Sequence, residues 1–239
     1  MRRLLTAIVL AGILPIAPRA GPRVGPHAGH RVGHRFSGAG AEESRVGRHE
    51  EPRVGHRFSG AGAGIGAAAE QLRVQHIDGG AADPFAAPAG VTAIVFLFTS
   101  TDCPISNRYA PEVRRLAAAF APRGVVFRLI YPNPAERAPA IREHMTAFAY
   151  AGATQALRDP EHALVKFVGA TVTPEAAVYA GGHIVYRGRI DDRYVDLGLE
   201  RPAPTRRDLA QALTAVIAGK PVLQPTTQAV GCFIADFVR

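Results

Sequence analysis

Lysine is nearly missing from this chain. Only Lys166 and Lys220 are present, so arginine supplies almost all of the basic charge behind a formal net charge of +8. Alanine, glycine and proline are abundant too, which makes the arginine bias a coding habit of a GC-rich sequence and not the mark of a nucleic-acid partner. Residues 1–66 carry ten arginines against four acids, whereas residues 67–239 carry eighteen bases against sixteen acids. A nearly neutral remainder offers no basic face, so no nucleic acid is expected to bind. Long hydrophobic runs are also scarce: the N-terminal one, residues 4–17, is about fourteen residues and too short for a comfortable membrane span. Cysteine is reduced to Cys103 and Cys232, which allows at most one disulfide within the chain.

A hydrophobic content of 47% over 239 residues is ample for a core, and one compact domain with something added is the default. The opening MRRLLTAIVLAGILPIAPRA has two arginines, an apolar stretch, then small residues and prolines, the layout of a secretory signal. Export to a periplasmic or extracytoplasmic space is expected, with a retained N-terminal anchor, and so a membrane attachment, as the alternative. In such a compartment disulfides persist.

Residues 23–44 and 45–66 are two copies of a 22-residue unit that share RVGHRFSGAGA. Glycine, arginine and histidine dominate it, so it buries too little apolar surface to offset its ordering entropy. A disordered linker is expected. His27, His30, His34, His49 and His56 lie there. They read either as a loose metal-collecting arm or as a tolerated duplication, and their spacings match no fixed-geometry site. The expected organisation is a signal or anchor over 1–20, the linker over 21–66, a folded domain over 67–221 and a tail over 222–239 that carries Cys232.

Within the domain, TAIVFLFT (92–99) is a continuous β-forming apolar run, as in a strand buried on both faces. A helix from Pro104 to about Arg123 places Ile105, Tyr109, Val113, Leu116 and Phe120 on one stripe, with Pro111 inside it. Further expectations are a strand over 125–131, helices over 136–150 and 160–169, strands over 175–179 and 183–190, and a last helix over 205–218 with Thr205 as N-cap. The order β-α-β-α-α-β-β-α predicts an α/β fold: a central sheet flanked by helices and closed by a hairpin.

Cys103 falls between the apolar strand and the Pro104 helix. There the unpaired N–H groups and the helix dipole favour a thiolate, and proline suits the first helical turn. Asp102 opposes this when ionised nearby, and Arg108 assists if it folds back. Ser106 is placed to donate a hydrogen bond to the sulfur. An inert buried cysteine is the competing reading.

The Cys-Pro at a helix start, the element order and VTPE (172–175) together resemble the thioredoxin-like superfamily in its redoxin or AhpC/TSA, peroxiredoxin-like branch, over about residues 72–221. CPISNRYAPE (103–112) and RGRIDDRY (187–194) are similar to a group of redoxins within it. The resemblance implies a thioredoxin-like fold with a central mixed sheet. It also implies a cis Thr173-Pro174 bond against a reactive Cys103, and pairing of the Thr173 backbone with the extended chain of a disulfide partner. Departures are specific. Ser106 stands where thioredoxin has its second cysteine, and Phe96 and Ser100 stand where peroxiredoxins have proline and threonine. Asn107 stands where copper-handling relatives have a second cysteine, so that role ranks third.

Cys232 lies beyond the last helix, where a tail thiol can swing over the site and resolve an oxidised Cys103. The alternatives are a permanent staple to Cys103 or a free cysteine packed by Phe233. RGRIDDRY reads as a turn with solvated charges or as charged groups near the sulfur, and Asp191-Asp192 has no converging ligands in the sequence. The expected activity is thiol-disulfide exchange, with peroxide reduction or a non-catalytic module as alternatives. The expected site is Cys103, Cys232, Ser106, Thr173 and Pro174, acting on a disulfide or peroxide with an external thiol reductant. No cofactor and no metal are expected.

Overall fold

The computed structural model describes residues 71–235, and the expected signal or anchor (1–20) and the duplicated linker (21–66) with its histidines lie outside them. The elements are β1 (Val74–His76), β2 (Ala81–Ala82), β3 (Ala93–Phe98), α1 (Pro104–Phe120), β4 (Val125–Tyr131), α2 (Ala138–Ala147), β5 (Gln155–Arg158) and α3 (Ala163–Val168). They are followed by β6 (Val172–Thr173), β7 (Glu175–Ala180), β8 (His183–Gly188), β9 (Tyr194–Asp196), β10 (Leu199–Glu200), α4 (Asp208–Ile217) and β11 (Cys232–Phe233). Seven strands form one sheet in the order β2-β1-β5-β4-β3-β7-β8. It is mixed: β3, β4 and β5 run parallel, while β7 pairs antiparallel with β3, β8 with β7 and β1 with β5.

β3 explains the architecture. All six of its residues are buried, and their alternation feeds two apolar clusters. Ala93, Val95 and Leu97 face the cluster that α1 and α4 cover through Val113, Leu116, Leu209 and Leu213. Ile94, Phe96 and Phe98 face the opposite cluster, which α3 covers through Leu164, Val165 and Val168. α1 buries Tyr109, Val113, Leu116 and Phe120 at helical spacing and runs on through Pro111. Each such large side chain contributes roughly 1.5–3 kcal/mol of burial, which fixes the helix on the sheet and its N-terminus at the end of β3. Among the described residues no helix is long and apolar enough to cross a membrane.

Four differences from the sequence expectation have local causes. β5 was not expected, because QALR is four residues without an apolar run; it pairs in parallel with β4 and places a strand between α2 and α3. α2 starts at Ala138 instead of 136, because Glu136 is buried and its carboxylate is used elsewhere. α3 starts at Ala163 because the Asp159 carboxylate accepts the Ala163 and Val165 N–H groups, each at 2.8 Å. α4 starts at Asp208, and Thr205 is not its cap: the Thr205 hydroxyl donates to Asp192 at 2.5 Å.

Candidate active site

The chain leaves β3 through buried Thr99, turns, and enters α1 with Cys103 as its N-cap in extended conformation (φ −83°, ψ 109°) and Pro104 in the first turn. The turn is held from two sides. Buried Glu136 accepts the Ser100 hydroxyl at 2.9 Å, the Thr101 N–H at 2.5 Å and the Thr101 hydroxyl at 2.8 Å. Asn107, one turn into α1, donates to the Thr101 carbonyl at 3.0 Å, and its Oδ1 meets His144 Nε2 at 2.8 Å. An amide oxygen only accepts, so Nε2 carries the proton and Nδ1 accepts from Tyr131 OH at 2.9 Å. Burial holds His144 below its usual range, with Asp102 pulling the other way, which suits this neutral tautomer. Asn107 is thus committed to the scaffold of the turn.

Cys103 is buried, and as a thiol it donates to the Thr173 carbonyl at 2.9 Å. The Thr173-Pro174 bond is cis. Burial alone pushes the thiol up. Hydrogen bonds from Cys232, from the side chain and backbone N–H of Ser106 and from the Thr173 side chain outweigh it, and the group sits below its ordinary value. Ser106 Oγ is buried without a well-aligned partner, so the neighbouring sulfur is the acceptor left for its proton. Cys232 is pushed the other way, to about 11, by burial, by its hydrogen bond to Cys103 and by the charge a Cys103 thiolate would carry. Both cysteines are free thiols. The two thiols are thus displaced in opposite directions.

The tail brings Cys232 there in two steps. Residues 225–227 dock on β8: Arg187 N–H donates to the Pro225 carbonyl at 2.8 Å, and Thr227 N–H to the Arg187 carbonyl at 3.0 Å. Tyr186 OH and Thr227 Oγ1 add a 2.8 Å contact, and a side chain at Gly188 would collide with Thr227. Further on, β11 pairs antiparallel with β6, Cys232 opposite Thr173 and Phe233 opposite Val172. Cys103, Cys232, Ser106, Thr173 and Pro174, expected together from the sequence, are therefore brought together.

A cavity of about 160 Å³ adjoins the sulfurs, lined by Asp102, Asn133, His162 and the Phe233–Ala235 end of the tail, among others. His162, which the sequence did not single out, is buried and hydrogen-bonded through Nε2 to the Pro132 carbonyl at 3.0 Å. A larger cavity, about 680 Å³, lies between α4 and residues 220–224 and contains neither cysteine. Glu136, His144 and His162 were missed because nothing in their local sequence points at a cysteine more than thirty residues away.

Two suggestions for charges near the sulfur are corrected. Arg108 does not fold back: it pairs with Glu200 at 3.1 Å, because its position on α1 faces the β9–β10 hairpin. RGRIDDRY is a strand end and turn, as the first alternative had it, but its Asp191 and Asp192 are buried and partnered instead of solvated. Arg187 donates to the Gly169 carbonyl, Asp191 accepts Tyr109 OH at 2.6 Å, and Asp192 accepts the Thr205 and Arg206 N–H groups at 2.7 and 2.8 Å. Among the described residues no group of three or more His, Cys, Asp or Glu side chains is arranged to hold a metal ion.

A mixed sheet flanked by helices, a cysteine at the N-terminus of the helix after the central strand, and a cis proline facing it define a thioredoxin-like fold. Among solved structures, the chain is similar to an uncharacterized conserved protein from Geobacillus kaustophilus, with 23% identity over 70% of this chain and 89% of that one, at a TM-score of 0.59. It is also similar to the hypothetical protein SMc02350 from Sinorhizobium meliloti 1021, with 24% identity over 68% of this chain and 89% of that one, at a TM-score of 0.56. A looser likeness, at a TM-score of 0.44 and 17% identity over 62% of this chain and 97% of the other, is to a secreted Mycobacterium tuberculosis disulfide oxidoreductase homologous to E. coli DsbE. No family model matches the chain. No curated protein matches it.

Proposed function

We propose that the protein is an exported thiol-disulfide oxidoreductase of the peroxiredoxin-like redoxin kind, with Cys103 as attacking thiol and Cys232 as resolving thiol. The observation that carries this reading is the convergence of Cys103, at the N-terminus of α1 beside the cis Thr173-Pro174 bond, and Cys232, which pairs opposite Thr173 and lines the same cavity. The Cys103 thiolate attacks a substrate disulfide, forming a mixed disulfide and releasing one substrate thiolate. Cys232, once its proton has passed to that departing thiolate or to solvent, attacks Cys103 Sγ. The second substrate thiolate leaves and a Cys103–Cys232 disulfide remains. An external thiol reductant returns both cysteines to thiols with two electrons. Ser106 and Thr173 stabilise the starting thiolate, and α1 adds its dipole. Export rests on the signal-like N-terminus.

The test is trapping. After mild oxidation with a small disulfide, non-reduced, alkylated protein should show a 103–232 crosslink by mass spectrometry, and Cys232→Ser protein should instead retain one substrate half on Cys103. Absence of both products would overturn the reading.

A further inference from the structure

Residues 231–234 do more than deliver a second sulfur. Besides the Cys232–Thr173 and Phe233–Val172 pairs, the Ile234 N–H donates to the Thr171 carbonyl at 2.9 Å, so the tail occupies the strand edge just before Pro174. Among the described residues β6 has no other strand partner. Backbone pairing is blind to sequence, so this edge would accept any extended polypeptide that could enter it. The seated tail shows what it selects. A side chain in place of Gly231 would run into the Thr173 carbonyl, Cys232 meets Cys103, Phe233 is 82% exposed, and Ile234 packs on the apolar cluster that lies against α3.

We propose that residues 231–234 are a tethered substrate mimic. They hold the strand edge against polypeptides of the form Gly-Cys-x-aliphatic and leave Cys103 to reagents small enough for the adjoining cavity. Thr227, clamped on β8, lies five residues before Cys232. So short a tether keeps the mimic at an effective concentration of about millimolar, above that of a free peptide at micromolar levels. The inference rests on Cys103 being the attacking thiol.

The test uses full-length protein in a Cys232→Ser background, in which Cys103 is the sole thiol. The probe is the peptide AVGCFIA, residues 229–235, disulfide-linked to thionitrobenzoate. Attack of the Cys103 thiolate on the peptide sulfur forms a protein–peptide disulfide and releases the thionitrobenzoate anion, which is coloured. Iodoacetamide, which fits the cavity, is the small reagent. Adding Gly231→Val, or Ile234→Asp if the valine variant does not fold, should raise the peptide rate at least about tenfold while alkylation changes by less than about threefold. On the opened protein AVACFIA should react at least about tenfold more slowly than AVGCFIA, since its alanine side chain meets the Thr173 carbonyl. If the two rates rise in step, the tail merely buries the sulfur and the mimic is overturned; an unchanged peptide rate overturns it equally. If Cys103 reacts with neither reagent in any variant, the proposed function falls, and this inference with it.

Discussion

The two thiols are the same chemical group lining one cavity, yet they are displaced in opposite directions. Cys103 caps a 17-residue helix and faces three hydroxyl or thiol donors and an N–H, which overcome its burial. Cys232 lies on a two-residue strand with no helix behind it, and its neighbour is a group set to become an anion, so it is pushed to about 11. Donors and dipole against burial decide the first sulfur, and burial with a nearby charge decides the second. Position in the site, not residue type, divides the lowered thiol from the raised one.

The largest effect should come from removing one sulfur or the other. Cys103→Ser should abolish disulfide exchange, a fall of at least about 10³-fold in turnover. Cys232→Ser should leave the first attack intact and stop after one leaving group per protein. Equal loss in both variants, measured by stopped-flow release of a coloured thiolate, would erase the distinction between the two.

Next comes the pH profile. Alkylation of Cys103 should be half-maximal below the free value of about 8.5, and that of Cys232 near 11. Cys232→Ala removes a donor to the thiolate and should raise the Cys103 value. Because the folded value of Cys232 lies above its free one, its contribution to seating the tail is intact below about 8.5 and is lost as pH rises through about 11. A Cys103 titration unchanged by Cys232→Ala would show that the two sulfurs do not communicate.

A smaller effect concerns the scaffold that only Cys103 has. Glu136→Ala leaves the Ser100 and Thr101 donors without their acceptor, which should cost about 1–3 kcal/mol and lower the thermal midpoint by several degrees. A midpoint within a degree of wild type would mean that the turn holds itself. The smallest expected effect is Ser106→Ala: it should raise the Cys103 value by less than Cys232→Ala does, because Ser106 ranks below Cys232 among the three side-chain donors. A purely structural serine would leave that profile where it is.

Much of the frame was legible because its signals are local. TAIVFLFT alternates into two cores and needed no partner to be read as a buried strand, and the Tyr109–Val113–Leu116–Phe120 stripe declared both a helix and its buried face. Asp159 and Glu136 were opaque for the opposite reason. One caps a helix that follows a turn, and the other leaves a helix-like stretch to bind a loop 35 residues away. β5, β6 and β11 are too short to carry a period.

The sequence alone determined that Cys103 opens a helix, since a β-forming run, a cysteine and a proline in that order leave the backbone few choices. It could not determine what the second cysteine touches. Cys232 stands 129 positions from Cys103 in a tail of no regular pattern. Its place depends on Gly188 admitting Thr227 and Gly231 admitting the Thr173 carbonyl, two close approaches between backbones far apart in the chain. Such contacts exist only once the sheet has assembled, which is why tertiary structure alone decided what lies beside Cys103.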